Sequence, residues 1–258
     1  MTDHVIRALR ARDQQDMGRV AGGMGSEATD RLTSLDAFAT TVRAWGSDLV
    51  PGPLQTDTYA AGAIRTMTPS LSGHQLTARV KRRAVRRAEF LERWSGPETS
   101  RCGLAWLLMS ESAIVHPTLS AHGHTAQLRR LLEIIDGYPR VIVQVLRDGI
   151  PTPGVSGPFS LHCLEDGLRI GHLETLVGGW YTTRPEDVAR MYSAFSDMST
   201  RALTPRETRE FIAEEISTCW AHTTDSTPGT AELPSGSPAT PTPTPACTSP
   251  LPPPALSQ

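Results

Sequence analysis

Residues 158–174 read PFSLHCLEDGLRIGHLE, two alternating runs on either side of Glu165-Asp166-Gly167. An Asp-Gly step between such runs is a strong hairpin signal, because the glycine supplies the positive φ that a tight reversal needs. Strands are therefore predicted over Phe159 to Leu164 and Leu168 to Glu174. Just upstream, Val141 to Leu146 (VIVQVL) is β-branched and alternating, and Leu104 to Met109 is a short apolar run that fits a buried strand. Between them TAQLRRLLEII, residues 125–135, carries a Leu/Ile face at helical spacing.

Helices surround this strand-rich centre. On the N-terminal side, Leu35, Phe38, Ala39, Val42, Trp45 and Leu49 recur at three- and four-residue steps, as on one buried helical face. Ser34 or Asp36 is placed to cap that helix, and Pro51-Gly52-Pro53 stops it. A second helix starts near Thr56-Asp57 with Tyr59, Ala60, Ala63, Ile64 and Met67. A third runs from about His74 to Trp94 on a stripe of Leu76, Val80, Ala84, Leu91 and Trp94. On the C-terminal side one helix follows Pro185, and another opens on Thr204-Pro205-Arg206-Glu207, which has capping-box spacing. The expected class is α+β, with a helical N-terminal part, a small and mainly antiparallel sheet under a covering helix, and two C-terminal helices.

Three segments follow from composition. Residues 1–31 read as a short charged helix, Val5 to Val20, and a small-residue linker. Residues 32–220 form the α+β domain. Residues 221–258 are dominated by Pro, Thr and Ser, have little to bury, and are expected to be disordered with polyproline II character.

The 258-residue chain has a net charge of −2, so as a whole it is not a polycation drawn to nucleic acid or anionic lipid. Its start lacks the apolar core of a signal peptide, and no apolar run is long enough for a membrane span. A cytoplasmic location is expected. Cys102, Cys163, Cys219 and Cys247 are scattered, which argues against a zinc site or a disulfide framework.

The search for chemistry is largely negative. No GxSxG elbow is present, and Ser110, Glu111 and His116 have no spacing that orients them as a triad. His116, His122 and His124 cluster, but two of them sit in a predicted loop, and solvent-exposed histidines are the plainer reading. AGGMGS near Gly22 and Val177-Gly178-Gly179-Trp180 lack the phosphate-loop pattern and read as linker and turn. The strongest charge feature is Arg79, Lys81, Arg82, Arg83, Arg86 and Arg87 on one helix. With Glu89 and Glu92 following at once and no aromatics interleaved, it reads as a solvated face or a contact for an acidic partner. No metal or cofactor is called for.

LVPGPLQT, residues 49–56, followed by Tyr59-Ala60, resembles the opening of a known actinobacterial domain. It is similar to the C-terminal domain of unknown function found behind helix-turn-helix modules in WhiJ-like, XRE-type regulators, some of them antitoxin-like. Further likenesses follow in order: Arg87 and Leu91 in the long helix, the LMSESA stretch at 108–113, Gln127-Leu128 and Leu131-Leu132, Val143 to Leu146, Gly157-Pro158-Phe159, Glu174, and Ala202-Leu203-Thr204-Pro205. The likeness spans about residues 34 to 217. Ala88, Ser110 and Arg147 stand where the family commonly has Gln, Asp and Pro.

This resemblance implies a non-catalytic regulatory domain that binds a regulatory protein partner or a small-molecule effector. No reader module precedes the first core helix, so direct DNA binding is not expected; a homodimer stays open. The expected binding residues are Gln55, Tyr59, Arg87, Glu111 and Glu174, beside the basic patch of Arg79, Lys81, Arg82, Arg83 and Arg86. The alternative is an enzyme of specialised metabolism that uses Glu111 and Glu174 at one pocket.

Overall fold

A computed structural model describes residues 18–19, 26–96, 103–116, 120–175 and 178–224. The predicted N-terminal helix before Gly18 and the Pro-rich tail after Thr224 lie outside the described residues. The helices are α1 (Ser26–Phe38), α2 (Asp57–Met67), α3 (Gly73–Trp94), α4 (Ser112–Val115), α5 (Ala121–Gly137), α6 (Pro185–Arg201) and α7 (Pro205–Thr224). The strands are β1 (Gly18–Arg19), β2 (Ala39–Gly46), β3 (Ala105–Ser110), β4 (Val141–Leu146), β5 (Phe159–Leu164), β6 (Arg169–Thr175) and β7 (Gly178–Thr182).

They form one mixed sheet in the order β1-β7-β6-β5-β2-β3-β4. β2, β3 and β4 run parallel, joined by crossovers through α2–α3 and α4–α5. The remaining pairings are antiparallel, and β5 and β6 form the predicted hairpin, with Gly167 at φ +85°. The α+β class stands, with helices at the front and two at the back.

Three expectations need correction. The single helix predicted over Leu35 to Leu49 is split: α1 ends at Phe38, and Ala39–Gly46 is the sheet's central strand. Thr40, Thr41 and Val42 are β-branched, and the strand is flanked by β3 on one side and β5 on the other. Val42 and Trp45 are three residues apart, so they satisfy a helical pattern while facing opposite sides of a strand. Second, Gly178 and Gly179 belong to β7 rather than a turn. Gly18–Arg19 is likewise paired with β7, where a helix was expected.

Alternation sends Val42, Leu107 and Val143 to one face, which packs under α2, α3, α5 and α7 with Tyr59, Phe90, Trp94, Leu131 and Ile212. Trp45, Leu108, Leu146 and Leu161 point to the other face and meet Val188, Phe195 and Met198 of α6. Each large apolar side chain so buried stabilises the fold by about 1.5–3 kcal/mol.

The helix ends are capped as their sequences require. Ser72 and Gln75 form a capping box on α3, and Thr56 accepts from the Tyr59 amide at the start of α2. Thr204 and Glu207 hold the start of α7 reciprocally, as predicted. The edge strand β4 is closed by the α6–α7 connection. Leu203 N donates to the Val145 carbonyl at 2.9 Å, and the Thr208 hydroxyl accepts from Val145 N at 3.1 Å. An open edge would otherwise present a template for pairing with another chain.

Candidate functional site

The site begins with the loop after β2, residues 47–56. Gly46 starts it at a point where a Cβ would meet the Leu49 carbonyl oxygen at 2.5 Å, so the turn is too tight for a side chain. The loop is fastened from several sides. Val50 N donates to the Tyr59 hydroxyl at 3.2 Å, and Gln55 Nε2 donates to the Val50 carbonyl at 2.7 Å. Gln127 of α5 accepts from Thr56 N and donates to the Leu54 carbonyl. Arg87 donates to the Gln55 carbonyl at 2.7 Å and to Asp57 at 2.9 Å. Ser110 and Ser112 both donate to the Ser47 carbonyl.

So fixed, the loop roofs a cavity of about 620 Å³. α3 closes one side, α1 another, and the floor is the sheet face formed by β2, β5 and β6. Ala44, Leu49, Ile64 and Leu107 are among its apolar walls. On the hairpin, Ser160 and His162 of β5 and His172 and Glu174 of β6 point into it, while Leu161 and Leu173 point to the α6 side. A covered sheet face carrying polar residues at successive inward positions is unusual, since buried polar groups cost free energy unless paired.

Part of that polarity is neutralised internally. Asp36 of α1 is 3 % exposed and accepts from Arg86 Nε at 2.7 Å, while its other oxygen lies 3.0 Å from His162 Nε2. Burial opposes ionisation of Asp36, but Arg86 and His162 outweigh it and hold its pKa below the ordinary carboxylate value. His172 has no such compensation. Burial, reinforced by His162 and Arg86 and only partly opposed by Asp36, pushes its pKa down to about 3. It is therefore a neutral imidazole at physiological pH. Its ring lies against Gly179, where a Cβ would meet His172 Nε2 at 2.5 Å. This close approach is why a glycine stands in β7 at that point.

Arg79, Arg83 and Arg86 of α3 all line the cavity. Arg83 is half-buried and donates to Gln55 Oε1 at 2.6 Å. Loss of hydration pulls its pKa below the ordinary arginine value, an effect that Glu174 opposes.

The structure thus brings together Gln55, Arg79, Arg83, Arg86 and Glu174 among the sequence-predicted residues. Tyr59 and Arg87 act behind the site as fasteners of its loop. Lys81 and Arg82 are exposed and do not line the cavity. Glu111 is also outside the lining: at the end of β3 it pairs with Arg147 at 2.7 Å and accepts from Asp148 N at 2.9 Å. Of the histidine cluster, His122 and His124 lie in the first turn of α5 rather than a loop, and His124 is buried with Nε2 2.6 Å from the Ile114 carbonyl.

His162 and His172 were not singled out from the sequence, and Asp36 was expected only as a helix cap, whereas it lies within α1. The available signal was alternation: Ser160 and His162, with His172 and Glu174, fall on one face of the hairpin. Read alone, that face looks solvated; α1 and α3 cover it only in the folded chain.

A family model described as a domain of unknown function (DUF5753) matches residues 29–214. No curated protein and no solved structure matches the chain.

Proposed function

The chain belongs to the family described as a domain of unknown function (DUF5753), and from that premise we propose that it is a non-catalytic regulatory domain which binds a small organic ligand in the cavity beneath α3. The observation that carries the reading is the cavity of about 620 Å³, with apolar walls and converging polar groups from α1, α3, the 47–56 loop and the β5–β6 hairpin. That volume falls within the range of small-molecule sites, which pair mostly apolar linings with a few placed polar groups.

The fastened loop supports the same reading. A site whose walls are already held in place spends little of its binding energy on ordering itself. The buried Asp36 supports a binding rather than a catalytic role, because both of its oxygens are engaged by Arg86 and His162. In this reading the ligand acts as an effector in the cytoplasm, in the manner implied by the likeness to WhiJ-like, XRE-type regulators.

Native mass spectrometry of the full chain, purified gently from its own host, tests the proposal. The expected spectrum shows the protein plus one small molecule, which is lost on denaturation and recovered chemically unchanged. A protein that stays bare at every stage of purification contradicts it, and a molecule that is turned over on incubation replaces binding with catalysis.

A further inference from the structure

The chemistry of the ligand can be taken further, on the premise that the cavity is a small-ligand site. α3 presents three arginines to it, and they are not equivalent. Arg86 is neutralised by Asp36 at 2.7 Å. Among the described residues Arg83 has a single hydrogen bond, to the neutral amide oxygen of Gln55, and no carboxylate within ion-pair distance. Arg79, four residues earlier on the same face, has neither a hydrogen bond nor an ion pair among the described residues.

Two like charges four residues apart on a helix repel each other. A half-buried guanidinium lining a cavity bears a desolvation cost that an anion offsets. Glu174 lines the far wall and is itself exposed; its charge acts on Arg83, but no ion pair joins the two among the described residues.

We propose that the ligand is an amphipathic organic anion, its carboxylate or phosphate held between Arg79 and Arg83 and its apolar body resting against Leu49, Ile64 and Leu107. Gln55 accepts from Nη1 of Arg83, so the guanidinium is oriented before the ligand arrives. The remaining N–H groups are free to make paired, charge-assisted bonds to two oxygens of one anionic group. Glu174 accepts from a hydroxyl or amine on the ligand and disfavours a second negative charge near that wall.

Calorimetric titration of the full chain with four probes on one frame tests this: phenylbutyrate, phenylbutyl phosphate, phenylbutanol and phenylbutylamine. At least one anion is expected to bind about tenfold or more tightly than the alcohol and the amine, the difference that one good charge-assisted contact supplies. The stronger of the two anions identifies the headgroup. Arg79→Gln and Arg83→Gln should each reduce that preference to about threefold or less while leaving alcohol binding in place, on the same arithmetic. Arg79 has no partner among the described residues to lose, so its variant reads binding without a folding defect, and Arg82→Gln, on the exposed side, should behave as wild type. Equal binding of all four probes overturns the anion assignment and leaves the small-ligand reading standing. Binding of none of them contradicts both.

Discussion

At the scale of single residues, the most consequential feature is a histidine kept neutral. His172 titrates at about 3 in the folded chain against an ordinary value of 6.5. Between those limits the unfolded chain takes up a proton that the folded chain refuses, so stability falls as pH drops below about 6.5. The slope from this one group reaches about 1.4 kcal/mol per pH unit. Asp36 acts lower on the scale: its depressed pKa contributes stability above the ordinary carboxylate range, which is lost as pH falls through that range. Denaturant midpoints measured from about pH 7 to about pH 4.5 should therefore decline in the wild type, and the decline should be markedly shallower in His172→Gln. An unchanged slope in the variant would show that His172 does not carry the effect. None of this was legible in the run IGHLET, because periodicity places His172 on a face without saying what covers that face.

Among elements, the sheet shows both what sequence pattern gives and where it stops. The hairpin around Gly167, the strand Val141–Leu146 and the capped start of α7 follow from turn chemistry, β-branching and capping spacing, all of them local. β2 does not. Its residues meet a helical template as well as a strand template, and the choice is made by partners far along the chain: β3 pairs with it from residue 105 and β5 from residue 159. The closure of β4 by Thr208 is equally non-local, and it is testable. Thr208 is 0 % exposed, and its hydroxyl accepts from Val145 N. Thr208→Val keeps the shape and leaves that buried amide unpaired, which should cost about 1–3 kcal/mol in equilibrium unfolding. A change of a few tenths would show that the edge is closed by the Leu203 contact alone.

For the whole molecule, fold and site are one construction. The central strand leads directly into the 47–56 loop, and the crossover that returns the chain to β3 contains α3, whose arginines face the loop. The resemblance carried on residues 49–56 falls on the loop that lines this cavity, and Gln55 and Glu174 among the expected binding residues both line it. Glu111 does not join them, because its partners are Arg147 and the Asp148 amide. That separation required three-dimensional placement, since both glutamates sit near strand ends and look alike in sequence.

The central claim, that a small molecule occupies this cavity, is tested most directly by comparing native mass spectra of the wild-type chain and Ser160→Phe, both purified from the host. Ser160 lines the cavity floor, so the added ring fills the space without crossing the α6 face of the sheet. The account predicts a bound small molecule on the wild type, none on the variant, and similar thermal melting of the two stripped proteins. The same molecule bound to both chains, or to neither, would contradict it.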